Sequence, residues 1–155
     1  MHLSFLWVSP LKEPGLHAYT SQLLKRIRQW IPVDVQEIKA GPYHPQSSLQ
    51  QDLEKDARRL QKHLKRFNTW LLLDADGQPW STADWHRWWL ENLQYGRPLA
   101  IVCGGPYGVH PQIQSLATWR VSLGPIVMSH QLVRAVVVEQ IYRVITLWKG
   151  VPYAK

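Results

Sequence analysis

The first part of the chain switches between the hydrophobic spacing of strands and that of helices. Residues 2–8 form a short apolar run with aromatic and β-branched members, which predicts a strand. From residue 15 to Pro32, apolar residues recur every three or four positions, which predicts an amphipathic helix. Val33–Ile38 alternates apolar and polar residues and predicts a second strand.

A loop rich in Gly, Pro and Ser follows at residues 39–48, and helices and strands continue to alternate after it. Helical spacing of apolar residues then predicts a helix that begins at Ser47 or Ser48 and reaches Phe67. Residues 70–73 are continuously apolar and are followed by Asp-Ala-Asp-Gly, so we expect a buried strand closed by a turn.

Two further elements follow in the middle of the chain. The sequence Ser-Thr-Ala-Asp at residues 81–84 predicts a capping box, and the helix after it places Trp85, Trp88 and Trp89 on one face. Residues 98–103 predict the next buried strand, which ends at Gly-Gly-Pro-Tyr-Gly. Clustered tryptophans indicate a core or a protein interface, and stacking on RNA bases is the alternative.

The last part of the chain is more apolar. We expect a short helix at residues 110–118, an irregular run at 122–129 and a final helix at 131–147. The final helix is apolar nearly all round, so it must be buried nearly all round. Because a terminal helix usually lies outside the sheet, the sequence favours packing of one face on a second subunit, in a symmetric dimer.

These elements define the fold class. Strands and helices alternate, so the chain is an α/β protein with neighbouring parallel strands, and 155 residues are enough for one domain, residues 1–155. Ligands of such sheets bind outside the carboxyl ends of the strands, where the Asp-Ala-Asp-Gly and Gly-Gly-Pro-Tyr-Gly turns should face one pocket. A pocket built mainly from backbone suits a ligand with an adenine edge; ordinary tight turns are the alternative.

Charge and composition narrow the partners. The chain has 18 Lys and Arg against 11 Asp and Glu, a net charge of +7, which favours an anionic partner such as RNA. The start of the chain lacks the features of a signal peptide, and no stretch approaches the length of a membrane span, so we expect a cytoplasmic protein without membrane contact. The single Cys103 lies in an apolar run and is predicted to be packed in the core.

Familiar catalytic signatures are missing from the sequence. There is no dinucleotide fingerprint, no phosphate-binding P-loop and no His-Glu-x-x-His pair, and we expect no metal site. The helix before residue 67 carries a strongly basic face that indicates either an RNA-binding surface or an ordinary solvated face. The predicted RNA-binding residues are Lys55, Arg58, Arg59, Lys62 and Arg66.

Four segments carry a resemblance to a known family. LLLDADGQPW, AIVCGGPYGV, SLGPIVMSHQLVRAVVVEQIYR and the closing GVPY resemble, in order and spacing, the bacterial ribosomal large subunit methyltransferase H family of the SPOUT superfamily. The resemblance is dense from about residue 72 to residue 153 and thinner before that. It implies a mostly parallel sheet flanked by helices with a deep C-terminal trefoil knot.

The resemblance also implies an activity. It implies a homodimer that uses S-adenosyl-L-methionine to methylate N3 of a pseudouridine in large-subunit rRNA. The rRNA could be free or part of the assembled ribosome. The family's cofactor contacts, transferred position by position, fall on three loops. They are Leu73, Gly105, Leu123, Gly124, Pro125, Ile126, Val127 and Met128.

Catalytic candidates come from the end of the chain and from the last helix. They are Tyr153, Lys155 and Arg134. Arg134 and Arg143 could also contact substrate phosphate or tie the knot. For Arg143, an ion pair with Glu139 is an equal alternative.

The chain departs from the family pattern at several positions. Ala154 stands where the family has a histidine, Tyr107 where it has an acid, and Val127 and Ser129 replace a threonine and a proline. The alternative function is therefore a catalytically altered or inactive relative that binds cofactor or RNA at the ribosome.

Overall fold

The computed structural model describes residues 1–153, in which five strands alternate with five helices. The strands are β1 (Leu3–Val8), β2 (Val33–Ile38), β3 (Trp70–Pro79), β4 (Leu99–Cys103) and β5 (Trp119–Ser122). The helices are α1 (Pro14–Ile27), α2 (Leu49–Leu64), α3 (Thr82–Leu93), α4 (Pro111–Leu116) and α5 (His130–Lys149). The predicted α/β class is confirmed.

The strands form one sheet in the order β2-β1-β4-β3-β5, and all four pairings are parallel. In β3 and β4, Leu73 lies opposite Cys103, so β4 ends beside Leu73, where the pairing of β3 with β4 also ends. The segments that follow them, residues 74–77 and 104–108, therefore start from the same edge of the sheet, where ligands of parallel sheets bind.

The sheet is covered on both faces, which explains its continuously apolar strands. Along β1, Leu3, Phe5 and Trp7 join the core under α1, α3 and α5, whereas Leu6 and Val8 join a second core under α2 and α4. Cys103 is buried in the first core, as predicted, and burial raises the pKa of its thiol to about 12.

The predicted helix starts are confirmed. Ser81 caps α3 and exchanges hydrogen bonds with Asp84, and Ser48 caps α2 in the same way. The three tryptophans of α3 are buried in the core, at 0–3% exposure, so the interpretation of this cluster as core is correct.

Two predictions about strand boundaries are wrong. No strand was predicted between the helix at 110–118 and the irregular run at 122–129, but Trp119–Ser122 forms the edge strand β5. The strand that starts at Trp70 does not end at Leu73 but extends to Pro79, where Pro79 pairs with Ser122. The predicted turn at 74–77 is instead a bulge within β3.

The burial of α5 does not require the second subunit that its apolar sequence favours. Helix α5 packs against both α1 and α3, and nine of its residues are buried within the single chain. Val137, for example, is fully buried in the chain itself. The apolar circumference of this helix therefore needs no partner to explain it, and only its outer positions, such as Leu132 at 39% and Leu147 at 44%, are exposed.

Candidate functional site

A cavity of about 100 Å³ lies between residues 73–75 of β3 and the end of β5, beside the first turn of α5. Six of the eight residues predicted to bind the cofactor line it. They are Leu73, Leu123, Gly124, Ile126, Val127 and Met128. The lining also includes Asp74, Ala75 and Ser122, which belong to segments predicted to face a pocket, and Val121 and Val133, which were not predicted to contact a ligand.

One wall of the cavity is the bulge in β3. Leu73 and Gln78 both lie opposite Val121, so residues 74–77 leave the ladder between two paired sections. Gly77 closes the bulge against β5, because a Cβ added there would lie 2.6 Å from the backbone carbonyl carbon of Arg120. A glycine is therefore required at this close approach of two backbones.

The opposite wall is the loop from Leu123 to Ser129, which joins β5 to α5. The Ser122 hydroxyl holds its start by donating to Gly124 O and accepting from Gly124 N, and Ser129 caps α5 at its end. Between these anchors, Ile126 is 71% exposed and Val127 is 91% exposed. Within residues 1–153, the N–H groups of residues 126–128 donate to no protein acceptor, which leaves them available to a ligand or to water.

The Gly-Gly-Pro-Tyr-Gly turn differs from this arrangement. Gly105 is buried, and a Cβ added there would lie 3.4 Å from Val8 Cγ1 and 3.6 Å from the Tyr43 hydroxyl. Tyr107, which replaces the acid of the family pattern, packs edge-on against Tyr43 with 4.9 Å between ring centroids. Neither Gly105 nor Pro125 is among the residues that line the cavity, so the expectation that both glycine turns face one pocket is wrong for this cavity.

The turn is fixed through a buried carboxylate of α2. The Tyr43 hydroxyl donates to Asp56 at 2.6 Å, and Gly41 N donates to the other carboxylate oxygen at 3.0 Å. Burial and the Asp56 carboxylate together raise the pKa of Tyr43 well above its ordinary value. The loop at 39–48 is therefore locked onto α2 and holds the glycine turn from outside.

Arg134 is fully buried at the start of α5. Its guanidinium donates to Val8 O at 2.6 Å and to the Ser9 hydroxyl at 3.1 Å, and it lies 5.7 Å from the centre of the Trp7 ring. Ser9 has a φ of 78°, which is rare outside glycine. Of its two predicted roles, Arg134 is placed to tie α5 to the end of β1 rather than to reach a phosphate.

Tyr153 follows α5 in sequence and packs back against this helix, away from the cavity. Its hydroxyl donates to Glu139 at 3.1 Å, and Arg143 donates to the same carboxylate oxygen at 2.9 Å, so the predicted Glu139–Arg143 ion pair is confirmed. Glu139 follows Val133 of the cavity by six residues, roughly 9 Å along the helix. The predicted catalytic residue Lys155, like the departure at Ala154, lies outside the described residues.

The predicted RNA-binding face of α2 is divided by internal ion pairs. Arg58 pairs with Glu54, and Arg59 pairs with the buried Asp56 at 2.9 Å. Lys55 lies 3.8 Å from Asp52. Within residues 1–153, Lys62 and Arg66 form no ion pair, so these two keep their charge for an outside partner.

The described residues contain neither a cluster suited to a metal ion nor a helix suited to span a membrane. Across residues 1–153, no group of three or more His, Cys, Asp and Glu side chains is arranged to hold a metal ion. In the same range, no helix has the length and hydrophobicity needed to cross a membrane.

Comparison with known proteins identifies related methyltransferases. Residues 1–154 match the family described as "Predicted SPOUT methyltransferase". The ribosomal RNA large subunit methyltransferase H of Gemmatimonas aurantiaca is 31% identical over 157 aligned positions, which cover 100% of both chains. The protein of the same name from Geotalea uraniireducens is 30% identical and covers 99% of both chains.

Solved structures share the fold at low identity. A probable methyltransferase from Bordetella pertussis superposes with a TM-score of 0.55 at 12% identity, covering 92% of this chain and 95% of that one. A probable methylase family protein from Haemophilus influenzae gives a TM-score of 0.57 at 8% identity, covering 96% of this chain and 66% of that one.

Proposed function

The chain belongs to the SPOUT methyltransferases, and within them to the ribosomal RNA large subunit methyltransferase H family, and on that premise we propose its substrate and site. It transfers a methyl group from S-adenosyl-L-methionine to large-subunit rRNA, at N3 of a pseudouridine. The reaction takes place where ribosomes are found, in the cytoplasm. The active form is a homodimer whose C-terminal chain forms a trefoil knot.

One observation carries this proposal. The loops that the family uses for its cofactor, around Leu73 and from Leu123 to Met128, come together on one cavity although about 50 residues of sequence separate them. The lining fits the cofactor, because apolar side chains can hold a flat adenine and main-chain N–H groups of residues 126–128 can bind its edge.

The protein's part in the reaction is mainly positioning. When bound, S-adenosyl-L-methionine supplies an electrophilic methyl group on a sulfonium centre. The walls at Leu73 and Met128 exclude water from one side of the ligand and fix its orientation. Because alignment of two reactants can supply much of a rate acceleration, a site with few ionisable groups is chemically sufficient.

Tyr153 acts as a hydrogen-bond donor to Glu139 rather than as a base. Burial and the Glu139 carboxylate raise the pKa of Tyr153 to about 12, so its hydroxyl stays protonated at neutral pH. The hydroxyl and Arg143 both donate to Glu139, which keeps the end of the chain against α5. The net charge of +7, with Lys62 on α2 and Arg66 just after it, attracts the phosphates of rRNA.

Transfer of labelled methyl groups tests the enzyme. Purified protein is mixed with labelled S-adenosyl-L-methionine and either pseudouridylated large-subunit RNA or intact ribosomes, and modified nucleosides are identified by mass spectrometry. The proposal predicts N3-methylpseudouridine in one substrate. A protein that binds the cofactor and transfers nothing to any ribosomal substrate would rule out the enzymatic function.

The second candidate is a non-catalytic relative that binds cofactor or RNA at the ribosome, and Ala154 in place of the family's histidine favours it. The variant Ala154→His separates the two possibilities. A large gain in transfer means that the missing side chain limits catalysis. Equal, measurable transfer by both proteins means that another group or solvent takes the proton, and no transfer by the natural protein supports the non-catalytic relative.

A further inference from the structure

The carboxylate of Asp74 lies at the start of the bulge that forms one wall of the cavity. Its side chain is only 7% exposed, although nothing in the local sequence requires a buried charge there. Arg120 Nε and Gln114 Nε2 both donate to its Oδ2, at 2.8 and 3.3 Å, and Arg120 Nη2 lies 2.7 Å from the same oxygen. The other carboxylate oxygen accepts from Asp76 N at 3.0 Å.

This one side chain therefore connects three segments: the bulge of β3, helix α4 through Gln114, and strand β5 through Arg120. Two residues after Arg120, the chain reaches Ser122, whose hydroxyl anchors the loop of the opposite wall. The Asp74–Arg120 pair thus sets the separation of the two walls of the cavity. A forked guanidinium fixes direction as well as distance, which a single ammonium group does not.

We infer that the Asp74–Arg120 ion pair is a positioning device that sets the affinity of this cavity for the adenosyl part of its ligand. Arg120 touches neither the cavity nor a reacting atom, so it acts through Asp74 and the β5 backbone. This inference rests on the proposed function, because it assumes that the cavity binds S-adenosyl-L-methionine.

The pair makes a specific prediction for binding. Arg120→Ala leaves a buried carboxylate without its charged partner, so the bulge moves and the two walls lose their alignment. We expect affinity for S-adenosylhomocysteine to fall about tenfold, the effect of losing one hydrogen bond to a charged group. Arg120→Lys keeps the charge without the fork and should recover part of the loss.

Calorimetry with S-adenosylhomocysteine tests the inference, with Arg87→Ala as the matched control. Arg87 pairs with Asp84 on α3 at 3.4 Å, and its side chain is 70% exposed, so its loss should leave affinity unchanged. Thermal unfolding of each variant shows that the folded protein is compared. In the transfer assay, Arg120→Ala should raise KM for S-adenosyl-L-methionine more than it lowers kcat.

The outcomes are distinguishable. If the natural protein does not bind S-adenosylhomocysteine, the proposed function fails. If the natural protein binds and folded Arg120→Ala binds equally well, the positioning role of the pair is wrong and the proposed function stands. If Arg120→Ala does not fold, the folded Arg120→Lys decides, because affinity equal to that of the natural protein would overturn the inference.

Discussion

Two glycine-containing segments start from the same edge of the sheet, one inside β3 and one after β4, and they use their glycines differently. The bulge at 74–77 lines a cavity beside a loop with two exposed apolar residues. The turn at 104–108 packs against Val8 and Tyr43 of its own chain. Glycines after a buried strand thus indicate a close approach of backbone, and the neighbouring side chains decide whether a ligand or the protein fills the space.

The largest effect is expected at Gly77. In Gly77→Ala the new methyl carbon meets the β5 backbone, which cannot move aside as a flexible side chain would. The free energy of unfolding, measured in urea, should fall by about 3 kcal/mol. Gly15→Ala is the control, because the nearest atoms are Glu13 carboxylate oxygens 3.8 Å away and alanine favours the helix. Equal stability of Gly77→Ala and the natural protein would contradict the described bulge.

The next test concerns ligand binding by the packed turn. A Cβ at residue 105 would already be in van der Waals contact with Val8, so the two further carbons of Gly105→Val should displace the turn that the family resemblance places against the cofactor. We expect S-adenosylhomocysteine to bind roughly tenfold more weakly, the effect of about 1.4 kcal/mol. Gly15→Val, with the same side chain on α1, serves as the control. Unchanged affinity in Gly105→Val would remove this residue from the site and leave the cavity alone.

A smaller effect is expected at Tyr43. Tyr43→Phe removes the hydroxyl that donates to buried Asp56 and leaves that carboxylate with one donor fewer. Stability should fall by about 1 kcal/mol in urea unfolding. Tyr95→Phe is the control, because Tyr95 is 68% exposed. A loss of the same size in both variants would mean that the Asp56 contact does not hold the loop.

The smallest effect is a change of pH dependence. The Ser47 hydroxyl donates to Asp52 and, with His44 N, holds the pKa of that carboxyl below its ordinary value of 3.8. Because the folded pKa is depressed, this contribution to stability is complete above pH 3.8 and is lost as pH falls through the folded pKa. Ser47→Ala should raise the Asp52 pKa, measured by carboxyl NMR titration; an unchanged value would show that the hydroxyl has no influence.

Much of the fold could be predicted because its signals are local. Strands buried on both faces are continuously apolar, and the Ser81–Asp84 capping box marks the start of α3 within four residues. Strand β5 could not be predicted in this way. It has four residues, lies at the edge of the sheet and is followed almost at once by Gly-Pro, so its pairing with β3 rather than its pattern defines it.

The candidate site also has a part that could be predicted from the sequence and a part that could not. The cofactor loops were identified by resemblance, and six of the eight residues reach the cavity. The Asp74–Arg120 pair could not be predicted, because Asp74 stands in a predicted turn, its partner is 46 residues away and no spacing rule connects the two. The burial of α5 was predicted correctly, but its apolar circumference does not say which neighbours cover it, and in this fold α1 and α3 do.

The most direct test of the account is a crystal structure of the protein with S-adenosylhomocysteine. We expect the adenosyl group between Leu73 and the loop of residues 123–128, with main-chain N–H groups of that loop at its base edge. The ligand bound instead in the groove between α1 and the edge strand β2, which is lined by Trp7 and Thr20, would contradict the account.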